Sequence, residues 1–156
     1  MTSERRVSSA SISDRSNPVT VLSLGCTDED QASLRDMSRE TGWRVVECGD
    51  LAQALPLLDA RGARVVLCGE RVGSSRWQDV LELAAGHDDP PRVIVVARHA
   101  DEALWAEVLN LGAFDLLESP LDASETTRVI AYAWLHAKLE PRVPVQSDVG
   151  AMRATA

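Results

Sequence analysis

Lysine is nearly absent from the chain, Lys138 being the only one. Basic charge as a whole is in deficit: 16 Lys+Arg stand against 24 Asp+Glu, for a net charge of −8. Binding to phosphate backbones needs clustered positive charge, so direct nucleic-acid binding is not expected. No apolar run approaches the ~18–20 residues of a membrane span, and no membrane role is expected. The opening residues, MTSERRVSSASISDRS, lack the apolar core of a secretory signal. Three cysteines, an odd number without a Cys-x-x-Cys pair, build no disulfide framework. These absences point to a cytoplasmic chain. What is present is ordinary for a globular protein: 156 residues, 45% hydrophobic and 26% charged. That length suits one domain with a core of its own.

Residues 1–17 are rich in Ser, Arg and Asp without periodicity and read as a disordered arm. Residues 140–156 hold two close prolines and no period, and read as a flexible tail. The domain is expected over 18–139. Within it short apolar runs alternate with helical patterns. The runs are Val19–Leu24, Arg44–Cys48, Arg64–Cys68, Arg92–Ala97 and Ala113–Leu117. Several are apolar on consecutive positions, as in strands of a parallel sheet buried on both faces. Helical patterns fall near 29–41, 50–60, 76–85, 101–111 and 123–139. Gly42, Gly62 and Gly112 stand where helices close, and Asp122 or Ser124 can cap the last. Pro56 should kink the second helix or confine it to short pieces. Five β-α units with right-handed crossovers give an α/β fold with helices on both faces of a five-stranded parallel sheet.

The segments Gly42-Trp43-Arg44-Val45-Val46-Glu47, Val93-Ile94-Val95-Val96 and Leu109–Pro120 resemble the receiver domain of two-component response regulators. The resemblance covers about residues 19–139 and implies a flavodoxin-like sheet of order 2-1-3-4-5. In that family two acidic residues after strand 1 hold Mg²⁺, and an Asp ending strand 3 accepts a phosphoryl group. A Ser or Thr ending strand 4 and a Lys after strand 5 contact its oxygens. The chemistry requires hard oxygen ligands, an oxygen nucleophile and a fixed cation.

By the same resemblance those positions fall on Gly25, Cys26, Gly69, Ala97 and Ser119. The aromatic switch position of strand 5 falls on Leu116. No phosphotransfer residue is kept, and Lys138 lies too far along the last helix to substitute. The chain therefore resembles a degenerate receiver, a pseudo-receiver, with no catalytic residues, metal or cofactor expected. Ser119-Pro120 keeps the proline whose peptide is usually cis in receivers, and cis is expected here.

Other constellations are weaker. Cys26, Cys48 and Cys68 all stand near strand ends, where a metal or redox site is conceivable but small buried residues are the plainer reading. His87, His99 and His136 are scattered, no nucleophile elbow accompanies any serine, and Gly69–Gly73 lacks the ending of a phosphate loop. No enzyme is expected. Four of the six aromatics are tryptophans. Trp134 shares the apolar stripe of Ile130 and Ala137, whereas Trp105 starts a stripe beside that of Leu104, Val108 and Leu111. By the resemblance, Trp105, Leu116, Val129 and Tyr132 form a contact face of helix 4, strand 5 and helix 5 for a protein partner or a second copy. The expected function is a phosphorylation-independent interaction module in bacterial signalling. The alternatives are an atypical receiver using displaced carboxylates (Asp28, Glu29, Asp30 or Glu70) and a small-molecule binder at the carboxyl edge of the sheet.

Overall fold

The computed structural model describes residues 19–139; the arm expected at 1–17 and the tail expected at 140–156 lie outside the described residues. Five parallel strands form the central sheet: β1 (Thr20–Leu24), β2 (Arg44–Cys48), β3 (Val65–Gly69), β6 (Arg92–Ala97) and β7 (Asp115–Glu118). Their order is β2-β1-β3-β6-β7, which is 2-1-3-4-5 for the strands of this sheet. The remaining two, β4 (Arg71–Val72) and β5 (Ser75–Arg76), are arms of a small antiparallel hairpin absent from the sequence expectation. The helices are α1 (Asp28–Thr41), α2 (Ala54–Arg61), α3 (Trp77–Ala85), α4 (Glu102–Asn110) and α5 (Ala123–Leu139). The fold is a flavodoxin-like three-layer sandwich.

Alternation along the strands divides the core. Leu22, Val66, Cys68, Val93 and Val95 face the layer shared with Leu58 of α2, Val80 of α3 and Val108 of α4. Val21, Val65, Leu67, Ile94 and Val96 face the opposite layer, with Leu34 of α1 and Ile130 and Trp134 of α5. Each fully buried side chain of this kind contributes about 1.5–3 kcal/mol against chain entropy. That is why consecutive, and not alternating, apolar residues mark these strands.

Local chemistry sets the ends. The Thr27 hydroxyl accepts the Asp30 N–H at 3.1 Å, starting α1. Gly42, at φ 78°, ends that helix in the left-handed region. Asp122 caps α5, its carboxylate accepting the Glu125 N–H at 2.8 Å. Pro56 splits its segment as expected: a 3-10 turn at Leu51–Gln53 precedes α2, and the proline falls in the first turn, where its missing N–H has no intrahelical acceptor. In the α4 stripe Val108 is buried and Leu104 half-buried, but Leu111 is exposed because α4 ends at Asn110 and the chain turns away at Gly112.

Candidate functional site

A cleft of about 380 Å³ opens at the carboxyl edge of the sheet, where α/β folds place ligands. It collects residues from every strand end but β2: Gly25 and Cys26 after β1, Gly69 to Arg71 at β3, Arg98 after β6 and Ser119 after β7. Four of the five positions expected to form a degenerate pocket, Gly25, Cys26, Gly69 and Ser119, thus line one cavity. Ala97 does not line it; it is buried in the layer under α2, α3 and α4.

The two glycines are in close backbone contact. A Cβ at Gly69 would lie 2.3 Å from the Gly25 carbonyl oxygen, and one at Gly25 would lie 2.1 Å from the Arg71 carbonyl oxygen. Gly25 also has φ 65°, a conformation unfavourable for other residues. No side chain fits at either place while this backbone arrangement persists.

Asp30 is 1% exposed and accepts two hydrogen bonds across the domain. The Ser119 hydroxyl donates to its Oδ2 at 2.6 Å, and the Leu121 N–H donates to its Oδ1 at 2.9 Å. These bonds tie the first turn of α1 to the segment after β7, through a cis Ser119–Pro120 peptide. A neutral hydroxyl and a backbone N–H thus both donate to the buried carboxylate.

Mg²⁺ would find a poor donor set here. Gly25 and Gly69 offer no side chain, and each Asp30 oxygen already accepts a hydrogen bond, which leaves exposed Glu70 as the other carboxylate of the cleft wall. Burial pushes the Cys26 thiol up to about 11, so it stays protonated at neutral pH. Burial also raises the Cys68 and Cys48 thiols. Soft-metal or redox chemistry needs thiolates, which these environments oppose.

The cleft wall contains residues outside the expected set. Arg71, Arg76 and Arg98 line it, as do Glu70 and Trp77, the latter 2% exposed and part of the core. Their sequence signal was position: Arg71 and Arg98 each follow a sheet strand within two residues. A search for a lysine-ended phosphate loop passes over them.

The contact face is only partly assembled. Trp105 is 50% exposed on α4 and Tyr132 is 64% exposed on α5, while Val129 is half-buried. Leu116 corrects the expectation: at 8% exposure it points from β7 into the layer under α4 and cannot be a surface contact. Tyr132 stands beside Phe114, with ring centroids 5.7 Å apart, and Phe114 beside His136 at 5.5 Å. Among the described residues Trp105 has no aromatic neighbour, so the expected cluster is an α5–Phe114 group plus a separate Trp105.

Sheet order, two-sided helix packing and a carboxyl-edge cleft narrow the comparison, and solved structures decide it. The signal receiver domain of an HD domain-containing protein from Pseudomonas fluorescens superposes with a TM-score of 0.67 at 20% identity, covering 78% of this chain and 98% of that one. The fold is that of a response-regulator receiver domain. The CheX-CheY-BeF3-Mg+2 complex from Borrelia burgdorferi matches the receiver fold with a TM-score of 0.63 at 16% identity, covering 78% of this chain and 93% of that one. Among curated sequences, the acid tolerance regulatory protein ActR of Sinorhizobium medicae is 29% identical over 129 residues, 81% of this chain. The chain spans 66% of that relative's length. No protein-family model matches the chain.

Proposed function

We propose that this receiver-fold domain is a phosphorylation-independent interaction module of cytoplasmic bacterial signalling, with no enzymatic activity of its own. The observation that carries the reading is the closed acceptor position: Gly69, where a receiver would hold its Asp, has the Gly25 carbonyl oxygen in the space a side chain needs. The Ser119–Asp30 hydrogen bond supports it, filling with a neutral hydroxyl the place of the receiver cation. A domain that keeps the fold and loses the transfer chemistry retains surfaces. Exposed Trp105 and Tyr132 are of the types enriched at protein contacts. The Borrelia burgdorferi relative of this fold is itself in a complex with a second protein.

The test is incubation with acetyl phosphate and Mg²⁺ followed by intact mass. The expected result is no mass gain. A gain of one phosphoryl group that is lost in Glu70→Gln or Asp28→Asn overturns the reading in favour of displaced carboxylates. The surface part is tested by Trp105→Ala. Self-association or partner capture should weaken by about tenfold or more, since truncating an interface-centre Trp often costs about 2 kcal/mol or more. Unchanged association in a folded variant removes Trp105 from the interface.

A further inference from the structure

The carboxyl-edge cleft differs in charge from the rest of this acidic chain. Three of its lining residues are arginines, against Glu70 and the buried Asp30, which accepts hydrogen bonds from Ser119 and Leu121. Arg71 and Arg76 are directly opposed in the β4–β5 hairpin register. Their partners in that ladder, Val72 and Ser75, alternate to the other side, with Val72 fully buried, so the two arginines share the outer side. Like charges directly opposite on a ribbon are destabilising. Among the described residues neither of them, nor Arg98, has a carboxylate within ion-pair distance, although the surface is rich in acid. An arrangement that costs stability when empty, and that converges on a concave site, is one that a bound anion relieves.

We propose that this cleft binds a phosphate-bearing small molecule noncovalently, through the guanidinium groups of Arg71, Arg76 and Arg98. Guanidinium forks match phosphate oxygens in paired hydrogen bonds, and arginine stays charged at any physiological pH. The cleft volume of about 380 Å³ lies in the range of small-ligand sites and exceeds what a lone phosphate needs. No bond is made or broken, so the proposal stands apart from phosphoryl transfer and does not depend on the absence of that chemistry.

The experiment is calorimetric titration of the full chain with pyrophosphate in metal-free buffer, with adenosine diphosphate and adenosine as parallel arms. Pyrophosphate should bind at one site, more weakly as salt rises. Tighter binding of adenosine diphosphate, with none of adenosine, assigns the source as a phosphate ester; equal binding assigns free polyphosphate. Arg71→Gln/Arg76→Gln should weaken binding by about tenfold or more, and Arg98→Gln separately by several-fold. Arg61→Gln, at an exposed position ending α2 and outside the cleft, should leave it unchanged. Thermal melts give a second readout. Arg71→Gln should raise the melting temperature of the unliganded chain by relieving the opposed pair, and shrink the rise that pyrophosphate causes. No binding at millimolar pyrophosphate, or equal binding by wild type and a folded Arg98→Gln variant, overturns the proposal. Phosphoryl uptake from acetyl phosphate would overturn the interaction-module reading alone.

Discussion

The two ends of the sheet treat charge in opposite ways. At the amino end, the loops before β3 and β6 are pinned: Arg64 meets Asp89 at 2.9 Å, His87 meets Asp59 at 2.7 Å, and Arg92 donates to the His136 ring at 3.1 Å. At the carboxyl end, three arginines line a cleft without a carboxylate within ion-pair distance among the described residues; of the two acids that share its wall, Glu70 is exposed and Asp30 is buried on neutral donors. Charges at the first end hold connections closed; in the cleft at the second they surround a space. In open α/β folds the carboxyl edge is where function sits, and here the two edges of one sheet are lined by different chemistry.

The largest effects are expected at the two glycines of the cleft. Gly69→Asp, which restores a receiver-like acid, should destabilise the domain by about 3 kcal/mol, because backbone and not a flexible side chain occupies the space. Gly25→Ala should cost a similar amount, positive φ adding about 1 kcal/mol to the overlap. Denaturant midpoints at constant m-value measure both. If Gly69→Asp is neutral and gains phosphoryl uptake, the carboxyl end is an open receiver pocket lacking only its acceptor.

A smaller effect is expected at the Asp30 hub. Ser119→Ala removes one of its two donors and should cost about 1–3 kcal/mol, the usual penalty for an under-satisfied buried acceptor. Asp30→Asn should cost a comparable amount, since an amide cannot accept on both sides. If both variants are neutral, water satisfies the carboxylate and the carboxyl end is looser than these bonds imply.

Sequence made the sheet legible and the cleft only in part. Residues such as Val65–Cys68 and Val93–Val96 are buried on both faces, and that burial is written directly as consecutive apolar positions. The β4–β5 hairpin has two residues per arm, too short for any period to register. Resemblance puts Leu116 on the contact face, but its place on β7 sets its face by alternation, toward α4. The resemblance located Gly25 and Gly69; it could not reveal that their backbones close on one another, because glycine records only a missing side chain. The arginines converge through a tertiary crossing of β3, the hairpin and β6, which no local pattern encodes.

Arginines at the two ends should respond differently to truncation. Arg64→Ala, at the amino end, should lose up to about 1 kcal/mol with its ion pair to half-exposed Asp89. Arg98→Gln, at the carboxyl end, should lose nothing measurable in the unliganded chain. Equal losses would mean that Arg98 has a structural partner and the two ends are alike.

The smallest effect is a pH slope confined to the amino end. The hydrogen bond to Asp59 is the main cause raising the His87 pKa above its ordinary 6.5, with the Asp89 carbonyl and the Asp88 charge adding to it and burial opposing. A raised folded-state pKa means that the folded domain holds the proton more tightly than the unfolded chain. The stabilisation is therefore complete below the unfolded value of 6.5 and is lost as pH rises through the higher folded value. Asp59 is largely exposed, so solvent screening holds the amplitude below about 1 kcal/mol. Stability should fall slightly as pH rises from 6.5 through the higher folded-state value, and Asp59→Asn should flatten that fall by removing the main partner. Denaturant unfolding of both proteins across that rise isolates the difference. A slope that survives in Asp59→Asn assigns it to another group and leaves the His87 contact as a neutral hydrogen bond.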